Sequence, residues 1–358
     1  MKTLNKKTRV LVLGSGEFIK DLLQQVRRNA NSTYDLIGLV TDTKHSSNYA
    51  YGCPILGDVD RLCAIIAEHN PQSIIVGPPY NRTSPSDQSL LEARCGRNVR
   101  VEHAEEVYER LTGKLPIEAL EPREVIFSEM FKPKTGSLLC SRMLSWCVAV
   151  LGLTLLAPVM LLLAAAIKLD TPGPALFVQN RCGAGGRPFK LYKFRTMRMA
   201  GAGASQWEGD NKHRITRVGR WLRRFRLDEL PQFINVLNGD MNLVGPRPHP
   251  ASNYALLMLV ARNTPESGAQ IPFYSLRCNV RPGITGWAQV KYCYANNINE
   301  EIEKLRFDLY YLKHYSFWLD LRIIAETAWV VVAGHRTSAE PAASTAPSSS
   351  QPRLATSE

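Results

Sequence analysis

Residues 143–167 read MLSWCVAVLGLTLLAPVMLLLAAAI, a run of 25 residues that contains no formal charge. A helix of this length reaches across a bilayer hydrocarbon core of roughly 30 Å. Pro158 lies near the middle of the run, where a proline removes one helical hydrogen bond and clashes with the preceding turn. The sequence therefore predicts a membrane-embedded segment over residues 140–169, either a kinked spanning helix or a helix-break-helix hairpin.

The basic residues that border this segment favour the hairpin. They lie on both sides of it: Lys132, Lys134 and Arg142 before the run, and Lys168, Arg181 and Arg187 after it. A spanning helix would place one of these two sets outside the cell, against the tendency of basic residues to stay in the cytoplasm. We therefore expect a re-entrant segment that leaves the membrane on the face by which it entered.

The whole chain carries a large positive charge. It has 358 residues, a formal net charge of +12 and 45% hydrophobic residues, which suits two ordinary globular domains. Such an excess of charge indicates an anionic partner, whether nucleic acid, lipid headgroups or a phosphorylated substrate, or else only a solvated basic surface. The eight cysteines form no C-x-x-C pair and no zinc-finger spacing, which fits a reducing cytoplasm.

Strand and helix patterns alternate along the N-terminal part of the chain. Apolar runs at 9–13, 36–40 and 73–76 predict strands, and the spacing of apolar residues over 17–28 and 59–68 predicts helices. Alternation of this kind is typical of a parallel α/β sheet. We assign residues 1–112 to this α/β domain.

The turn after the first predicted strand carries part of a dinucleotide-binding fingerprint. Gly14 and Gly16 match its first two glycines, but Ile19 stands where the third is expected. Asp42, after the second predicted strand, is a candidate ribose ligand. The fingerprint is incomplete, and no hydride-transfer constellation accompanies it.

The remainder of the chain divides by composition. Residues 113–139 form a polar, proline-containing connector, and 170–334 a second globular unit rich in Arg, Gly and Pro. This unit ends in an apolar stretch over 317–332 that predicts a helix lying at the membrane surface. Residues 335–358 are dominated by Ala, Ser, Thr and Pro, which predicts a disordered tail.

Six arginines precede an acidic pair in the second unit, where residues 214–229 read RITRVGRWLRRFRLDE. Arg217, Arg220 and Arg224 share one helix face, which suits phosphate oxygens of a substrate, lipid headgroups or nucleic acid. Asp228 is predicted to cap a new helix that has Pro231 in its first turn. The helix N-terminus and the arginines would favour an ionised carboxylate there, although an acidic pair is often only a surface feature.

Three blocks of sequence resemble the monotopic phosphoglycosyl transferases, the initiating enzymes of bacterial surface-polysaccharide assembly. The blocks are KLYKFRTM at 190–197, RLDELPQFINVLNGDMNLVGPRP at 226–248 and VRPGITGWAQV at 280–290. They recur in order at family-like separations, and the resemblance covers residues 140–334. It implies a mainly helical α+β catalytic domain that is anchored by a re-entrant membrane helix, beside a Rossmann-like first domain.

The resemblance also implies a reaction in two steps. An aspartate attacks the β-phosphate of a UDP-sugar and expels UMP, and the phosphosugar then passes to polyprenyl (undecaprenyl) phosphate. By this resemblance Asp228 is the nucleophile, Glu229 assists it, and Mg²⁺ neutralises the diphosphate charge. The substrate-binding residues would be Lys193, Arg195, Arg223, Arg247 and Arg281, and the metal-binding residues would be Asp228, Glu229 and Asp308.

The sequence departs from the family pattern at the membrane helix. Family members break this helix at a Ser-Pro pair, whereas here the pair is Ala157-Pro158, which lacks the serine hydroxyl. Ser145 stands where an acidic residue is usual after the leading arginine. We keep the re-entrant interpretation because the proline remains and because UDP-sugars are cytoplasmic.

The partners follow from this interpretation. We expect a UDP-sugar, polyprenyl phosphate and membrane lipids, no nucleic acid, and a location at the bacterial inner membrane with both domains facing the cytoplasm. The first domain is expected to regulate the enzyme or form a homodimer, or to sense a nucleotide; an active oxidoreductase is disfavoured. The alternatives for the whole chain are an inactive membrane scaffold, a nucleic-acid-binding protein and a NAD-dependent enzyme.

Overall fold

The computed structural model describes residues 7–29, 34–41, 49–78, 99–120, 129–198, 213–251, 273–292 and 298–333, with the single residues 90, 92, 94, 125, 127 and 254. Within these ranges the chain forms an N-terminal α/β unit, one long apolar helix and a mainly helical C-terminal unit. The predicted fold class is confirmed at this level. The predicted disordered tail and Asp42 lie outside the described residues.

The N-terminal unit is built on one six-stranded sheet. Its strands are β1 (Thr8–Leu13), β2 (Tyr34–Val40), β3 (Tyr49–Ala50), β4 (Cys53–Gly57), β5 (Ser73–Val76) and β6 (Arg100–His103). The order across the sheet is β3-β4-β2-β1-β5-β6, and every pair is parallel except the β3–β4 hairpin at one edge. Strand order therefore reverses beside β1, as in doubly wound sheets.

Helices cover both faces of this sheet. They are α1 (Glu17–Arg28), α2 (Leu62–His69) and α3 (Ala104–Thr112). Alternate residues of β1 point to opposite sides, so that Val10 and Val12 pack with α1 and α3, while Leu11 and Leu13 pack with α2. The strands at 9–13, 36–40 and 73–76 and the helices at 17–28 and 59–68 were predicted within a few residues.

The segment that follows α3 is part of the core of the second unit. Leu115, Ile117 and Phe131 are buried there, although residues 113–139 were expected to form a polar connector. Glu109 near the end of α3 is 4% exposed and accepts hydrogen bonds from Lys313 at 2.7 Å and His314 at 2.8 Å. The two units are therefore joined by buried contacts as well as by the chain.

The apolar run forms the helix α4 (Thr135–Asp170), which has 36 residues and includes Pro158. In the described part of the chain it alone is long and apolar enough to cross a membrane, judged by length and composition. The helical segment is continuous through Ala157-Pro158, so no loop separates its two halves, and the predicted re-entrant course stays a prediction. A proline deletes one hydrogen bond of the ladder, and the flanking turns continue without it.

Both halves of α4 pack on the second unit. Its other elements are β7 (Leu176–Cys182), β8 (Pro188–Phe194), α5 (Arg217–Arg224), α6 (Gln232–Asn238), β9 (Asn242–Val244), β10 (Gly283–Thr285), α7 (Trp287–Lys291), α8 (Ile298–Lys313) and α9 (Phe317–Ala333). Ala149, in the first half of α4, packs against α6 and the residues that precede β9. Ile167, in the second half, packs against Phe194 and Leu222 of β8 and α5.

Candidate active site

The acidic pair lies in a single 3₁₀ turn, Leu227–Glu229, between α5 and α6. Arg226, which starts this turn, has a left-handed backbone with φ 53°, and it reverses the chain between the two helices. The cap of α6 is Pro231, so the prediction that Asp228 caps this helix is wrong. The left-handed residue opens a separate turn before the helix, and that turn holds both carboxylates.

Glu229 is only 8% exposed, but neighbouring arginines stabilise its charged form. Its Oε1 accepts a hydrogen bond from Nη1 of Arg247 at 3.0 Å, and its Oε2 lies 3.8 Å from Nη1 of Arg226. Burial by itself would raise the pKa of Glu229, but Arg247 and Arg226 outweigh it and hold the pKa below its ordinary value. Glu229 is therefore ionised at neutral pH.

Asp228 has the opposite electrostatic balance. Burial raises the pKa of its carboxyl, and the neighbouring charge of Glu229 adds to the rise. Lys193, Arg223 and Arg247 act against this rise without cancelling it. No residue that the structure describes donates a hydrogen bond to this carboxylate. The expectation that its surroundings favour the ionised form is corrected, since desolvation and the adjacent carboxylate outweigh the three cations.

Lys193 on β8 is a cation whose charged form is destabilised by its surroundings. Burial, with the like charges of Arg181 and Arg247, lowers the pKa of Lys193 to about 8, although Asp228 and Glu229 act in the other direction. A cavity beside it is lined by Arg181, Leu191, Lys193, Gln232, Arg247 and Pro248. Three cationic side chains therefore meet at one cavity, which suits an anionic ligand.

Arg223 belongs to the same group of charges. Its Nε donates to Oγ1 of Thr196 at 2.9 Å, which directs the side chain toward β8 and the acidic pair. The helix α5 approaches this strand closely because Gly219 has no side chain: a Cβ there would lie 2.1 Å from the carbonyl oxygen of Thr196. Arg223 is thus placed by a close backbone contact between α5 and the residues after β8.

A buried network of hydrogen bonds and ion pairs around Arg277 stabilises the turn that carries Arg247. Nη2 of Arg277 donates to the backbone carbonyl of Arg247 at 3.1 Å and lies 2.7 Å from Oδ2 of Asp308. Nη1 of Arg277 contacts the ring of His249, which is buried. Burial would lower the pKa of Arg277, but Asp308 and the hydroxyl of Tyr274 raise it, so the guanidinium stays charged.

Three residues that were predicted for the site point elsewhere. Arg195 donates to the backbone carbonyls of Thr171 and Pro172 at 2.7 and 2.9 Å, and so closes the loop after α4. Arg281 is exposed, and its electrostatic neighbours are on α4 and beside α9 rather than at the acidic pair. Asp308 pairs with Arg277, and it is separated from Glu229 by the Arg277–Arg247 link.

Sequence reasoning missed three residues that shape the site. They are Arg226, which sets the turn and lies near Glu229, Arg181, which lines the cavity, and Arg277, which holds the Arg247 turn. Arg226 stood in the quoted arginine series, but nothing in its residue type signals a left-handed backbone. Arg277 has no local motif, because its partners lie about 30 residues away on both sides along the chain.

The carboxylates offer a partial ligand set for a divalent cation. Among the described residues there is no group of three or more His, Cys, Asp or Glu side chains that could hold a metal. Mg²⁺ in nucleotide sites commonly takes one or two carboxylates and completes its shell with phosphate oxygens and water. Asp228, with no described donor, and Oε2 of Glu229 fit that mode, whereas Asp308 is committed to Arg277.

In the first unit, Gly14 and Gly16 lie where β1 meets α1. Gly14 has φ 141°, and a Cβ there would lie 3.0 Å from the carbonyl oxygens of Gly77 and Pro78, so glycine is required by the fold itself. Gly16, with φ 96°, precedes α1 and has open space around the position of a Cβ. These observations explain the glycines structurally, and nucleotide binding there stays a prediction.

Several known proteins have sequences similar to this chain. A relative from Aeromonas hydrophila, a UDP-N-acetylgalactosamine-undecaprenyl-phosphate N-acetylgalactosaminephosphotransferase, is 39% identical over 68% of this chain and 55% of its own length. A UDP-glucose:undecaprenyl-phosphate glucose-1-phosphate transferase from Caulobacter vibrioides is 43% identical over 54% of this chain and 70% of its own. An undecaprenyl-phosphate glucose phosphotransferase from Komagataeibacter xylinus is 31% identical over 88% of this chain and 57% of its own.

The chain thus spans a little over half the length of the Aeromonas and Komagataeibacter relatives. The Komagataeibacter match covers 337 residues, so it reaches into the first unit. The family described as bacterial sugar transferase matches residues 136–334, which hold α4, the acidic pair and the Arg247 turn. The chain belongs to the bacterial sugar transferase family.

Proposed function

We propose that the protein transfers a sugar-1-phosphate from a UDP-sugar to undecaprenyl phosphate, releases UMP and so initiates synthesis of an exopolysaccharide, capsule or O-antigen glycan. The names of its relatives describe this type of reaction for them. One observation carries the proposal to this chain. Asp228 is a desolvated carboxylate next to Glu229, with Lys193, Arg223 and Arg247 around it, and the apolar helix α4 packs on the same unit.

The chemistry assigned to Asp228 is nucleophilic. One carboxylate oxygen attacks the β-phosphorus of the UDP-sugar, a new P–O bond forms, and the bond to the bridging oxygen breaks so that UMP leaves with the electron pair. An oxygen of the lipid phosphate then attacks the same phosphorus and releases the carboxylate. A carboxylate that is desolvated and has no described hydrogen-bond donor is poorly stabilised, and this favours attack.

Glu229 and the cations have different tasks in this scheme. Glu229 is held by Arg247 and Arg226, so we assign it an orienting role rather than attack on phosphorus. Lys193, Arg223 and Arg247 neutralise the diphosphate as charge develops on the leaving UMP. Their placement around Asp228 is the same feature that opposes the rise of its pKa.

A divalent cation fits this arrangement. Asp228 and Glu229 would hold Mg²⁺ together with substrate oxygens, and the ion, when bound, would neutralise diphosphate charge. Asp308 is not included, because its carboxylate faces Arg277. Magnesium binding is therefore proposed for two of the three acidic residues that the sequence nominated.

The contacts of α4 support a re-entrant membrane segment. A straight helix of 36 residues is about 54 Å long, enough to put its ends on opposite sides of a bilayer. Yet Arg142 near its start donates to the carbonyl of Met241 at 2.8 Å, and Asp170 at its end accepts from the backbone N–H of Val218 at 3.3 Å. Both ends thus contact one globular unit, so both would lie on the same side of a membrane as that unit.

The outward side of α4 supplies the apolar surface for this location. Leu151, Leu155, Leu161 and Leu162 are 60–73% exposed. We therefore propose that α4 enters and leaves the cytoplasmic membrane from the cytoplasm, with both units on that side. There they meet soluble UDP-sugars and the phosphate end of the lipid acceptor.

The test measures which nucleotide is released. Purified full-length protein in detergent is incubated with undecaprenyl phosphate, Mg²⁺ and a panel of UDP-glucose, UDP-galactose and their N-acetylated forms. We expect UMP release with at least one donor, and a covalent phosphosugar adduct when the lipid is left out. Asp228→Asn should abolish both, while Asp35→Asn, the same change at an exposed carboxylate of the first unit, should leave both intact.

The outcomes separate the candidate functions. Release of UDP would indicate an ordinary glycosyltransferase. Absence of both nucleotides across the panel, in protein with a normal melting transition, would favour the inactive scaffold. Full turnover by Asp228→Asn would remove this residue as nucleophile.

A further inference from the structure

We propose that the outward face of α5 binds the anionic headgroups of membrane phospholipids and so enriches anionic lipid beside the active site. The face consists of Arg217, Arg220, Trp221, Arg224 and Phe225. This inference rests on the proposed membrane location of α4, and it adds a lipid partner that the transfer reaction itself does not require.

The packing of α5 fixes which residues face outward. Gly219 lies against the carbonyl oxygen of Thr196, at a separation that leaves no room for a side chain. Leu222 is fully buried against Ile167 and Phe194. The first turn is capped by Thr216, whose Oγ1 accepts from the N–H of Gly219 at 2.9 Å. The rotation of the helix about its axis is therefore set by close contacts.

The residues opposite Gly219 form a basic and aromatic surface. Arg217, Arg220 and Arg224 are exposed, and none of them has an acidic partner among the residues that the structure describes. Trp221 is 54% exposed, and its ring meets that of Phe225 edge to face at 5.1 Å. Arg223, by contrast, turns inward to Thr196. One short helix thus divides its arginines between the active site and the outer surface.

This surface adjoins the apolar surface of α4. The helix α5 packs on the second half of α4, where Leu161, Leu162 and Leu169 are 71–89% exposed. Arginine and tryptophan that border an apolar surface are typical of a helix lying at headgroup depth. Charge and location together favour anionic phospholipid over a soluble anion.

The expected size of the preference for anionic lipid follows from the charge of this face. Each arginine close to an anionic bilayer strengthens the attraction about fivefold, and this gain is screened over roughly 8–10 Å at physiological salt. Three arginines on one face therefore give up to about a hundredfold preference before screening. A preference of at least about twofold for anionic over zwitterionic lipid near Trp221 is a conservative expectation.

The experiment uses full-length protein in nanodiscs of phosphatidylcholine that contain an equal fraction of either brominated phosphatidylglycerol or brominated phosphatidylcholine. Bromine quenches nearby tryptophan, so the ratio of the two quenching values reports lipid enrichment. We expect stronger quenching by the brominated phosphatidylglycerol, a smaller excess at high salt, and loss of the excess in Arg217→Gln/Arg220→Gln/Arg224→Gln. Trp221→Phe should also remove most of the excess.

A control variant carries the same charge change elsewhere. Arg28→Gln/Arg61→Gln/Arg100→Gln replaces three exposed arginines of the first unit and should keep the preference for phosphatidylglycerol. A preference that survives in the α5 variant, or that is undiminished in Trp221→Phe, would overturn the proposal. Salt-steep binding of an RNA oligonucleotide that only the α5 variant loses would assign the face to nucleic acid and would overturn it as well.

Failure of this proposal is distinguishable from failure of the proposed reaction. Wild-type protein that releases UMP without any preference for anionic lipid would overturn only the lipid surface. Wild-type protein that prefers phosphatidylglycerol but releases no UMP would leave the surface supported and would count against the transfer reaction.

Discussion

Replacement of Lys193 by methionine is expected to stabilise the substrate-free protein at pH 7 while it removes activity. The fall in the pKa of Lys193, from its ordinary value of 10.5 to about 8, measures how unfavourable its charge is in this site. That fall corresponds to about 3 kcal/mol for a fully enclosed group. Because the side chain lines a cavity that opens to water, screening reduces the figure, and we expect about 1–2 kcal/mol.

The difference in stability between Lys193→Met and the wild type depends on pH with a defined sign. Between pH 8 and 10.5 the unfolded chain keeps the proton on Lys193 while the folded protein has lost it. Wild-type stability therefore gains from this group as the pH rises through that window. Methionine has no proton to lose, so the advantage of Lys193→Met is full below pH 8. It should shrink by roughly half or more by pH 9.5.

Thermal melting in detergent at pH 7.0 and 9.5 measures both effects. A gain of 1–2 kcal/mol raises the midpoint by a few degrees for a unit of about 200 residues. Lys190→Met provides the control, since Lys190 is an exposed lysine on the same strand. A lower midpoint for Lys193→Met at pH 7, or an advantage that does not change with pH, would refute the electrostatic argument.

Three further substitutions test the surroundings of the acidic pair. Arg247→Met should raise the pKa of Glu229 by removing its hydrogen-bond donor, so that UMP release falls at least about 100-fold at pH 7 and its acidic limb moves to higher pH. Asp308→Asn should destabilise the protein by about 3–5 kcal/mol in denaturant melts by stranding the buried Arg277 charge, but should leave the Mg²⁺ dependence of the residual activity unchanged. Gly219→Ala should lower stability by about 1–3 kcal/mol in the same melts, because its Cβ would lie 2.1 Å from a carbonyl oxygen.

The parts of the fold that were predicted well are those that local patterns encode. The helix at 17–28 was predicted with the bounds that α1 has, since Phe18, Leu22, Leu23 and Val26 recur at helical spacing. All of these except Phe18 are buried, and Ile19 is buried with them. The apolar helical segment within α4 was predicted from composition alone, although a break at Ala157-Pro158 was expected within it. The hairpin formed by β3 and β4 was missed, because two and five residues carry too short a pattern to distinguish a strand from a loop.

The parts of the site that were not predicted depend on backbone reversal and distant partners. Local propensity made Asp228 a helix cap, whereas the left-handed Arg226 opens a separate turn. Arg195 stands in a family-like block and Arg223 three residues before one, yet only Arg223 is directed to the acidic pair. Asp308 looked like a metal ligand because no sequence pattern reveals the buried arginine beside it.

The shifted pKa values of Lys193 and Asp228 have one cause that connects stability with function. Both groups have lost solvation, and each is destabilised in its charged form. The nearby cations, which include Arg181 and Arg226, outnumber the two carboxylates, so a bound diphosphate relieves the repulsion among the cations. It should therefore raise the pKa of Lys193 and draw a proton onto it above pH 8. We therefore expect the wild type to take up protons when it binds a UDP-sugar, and Lys193→Met to take up none. Calorimetry in buffers of different ionisation enthalpy measures this uptake.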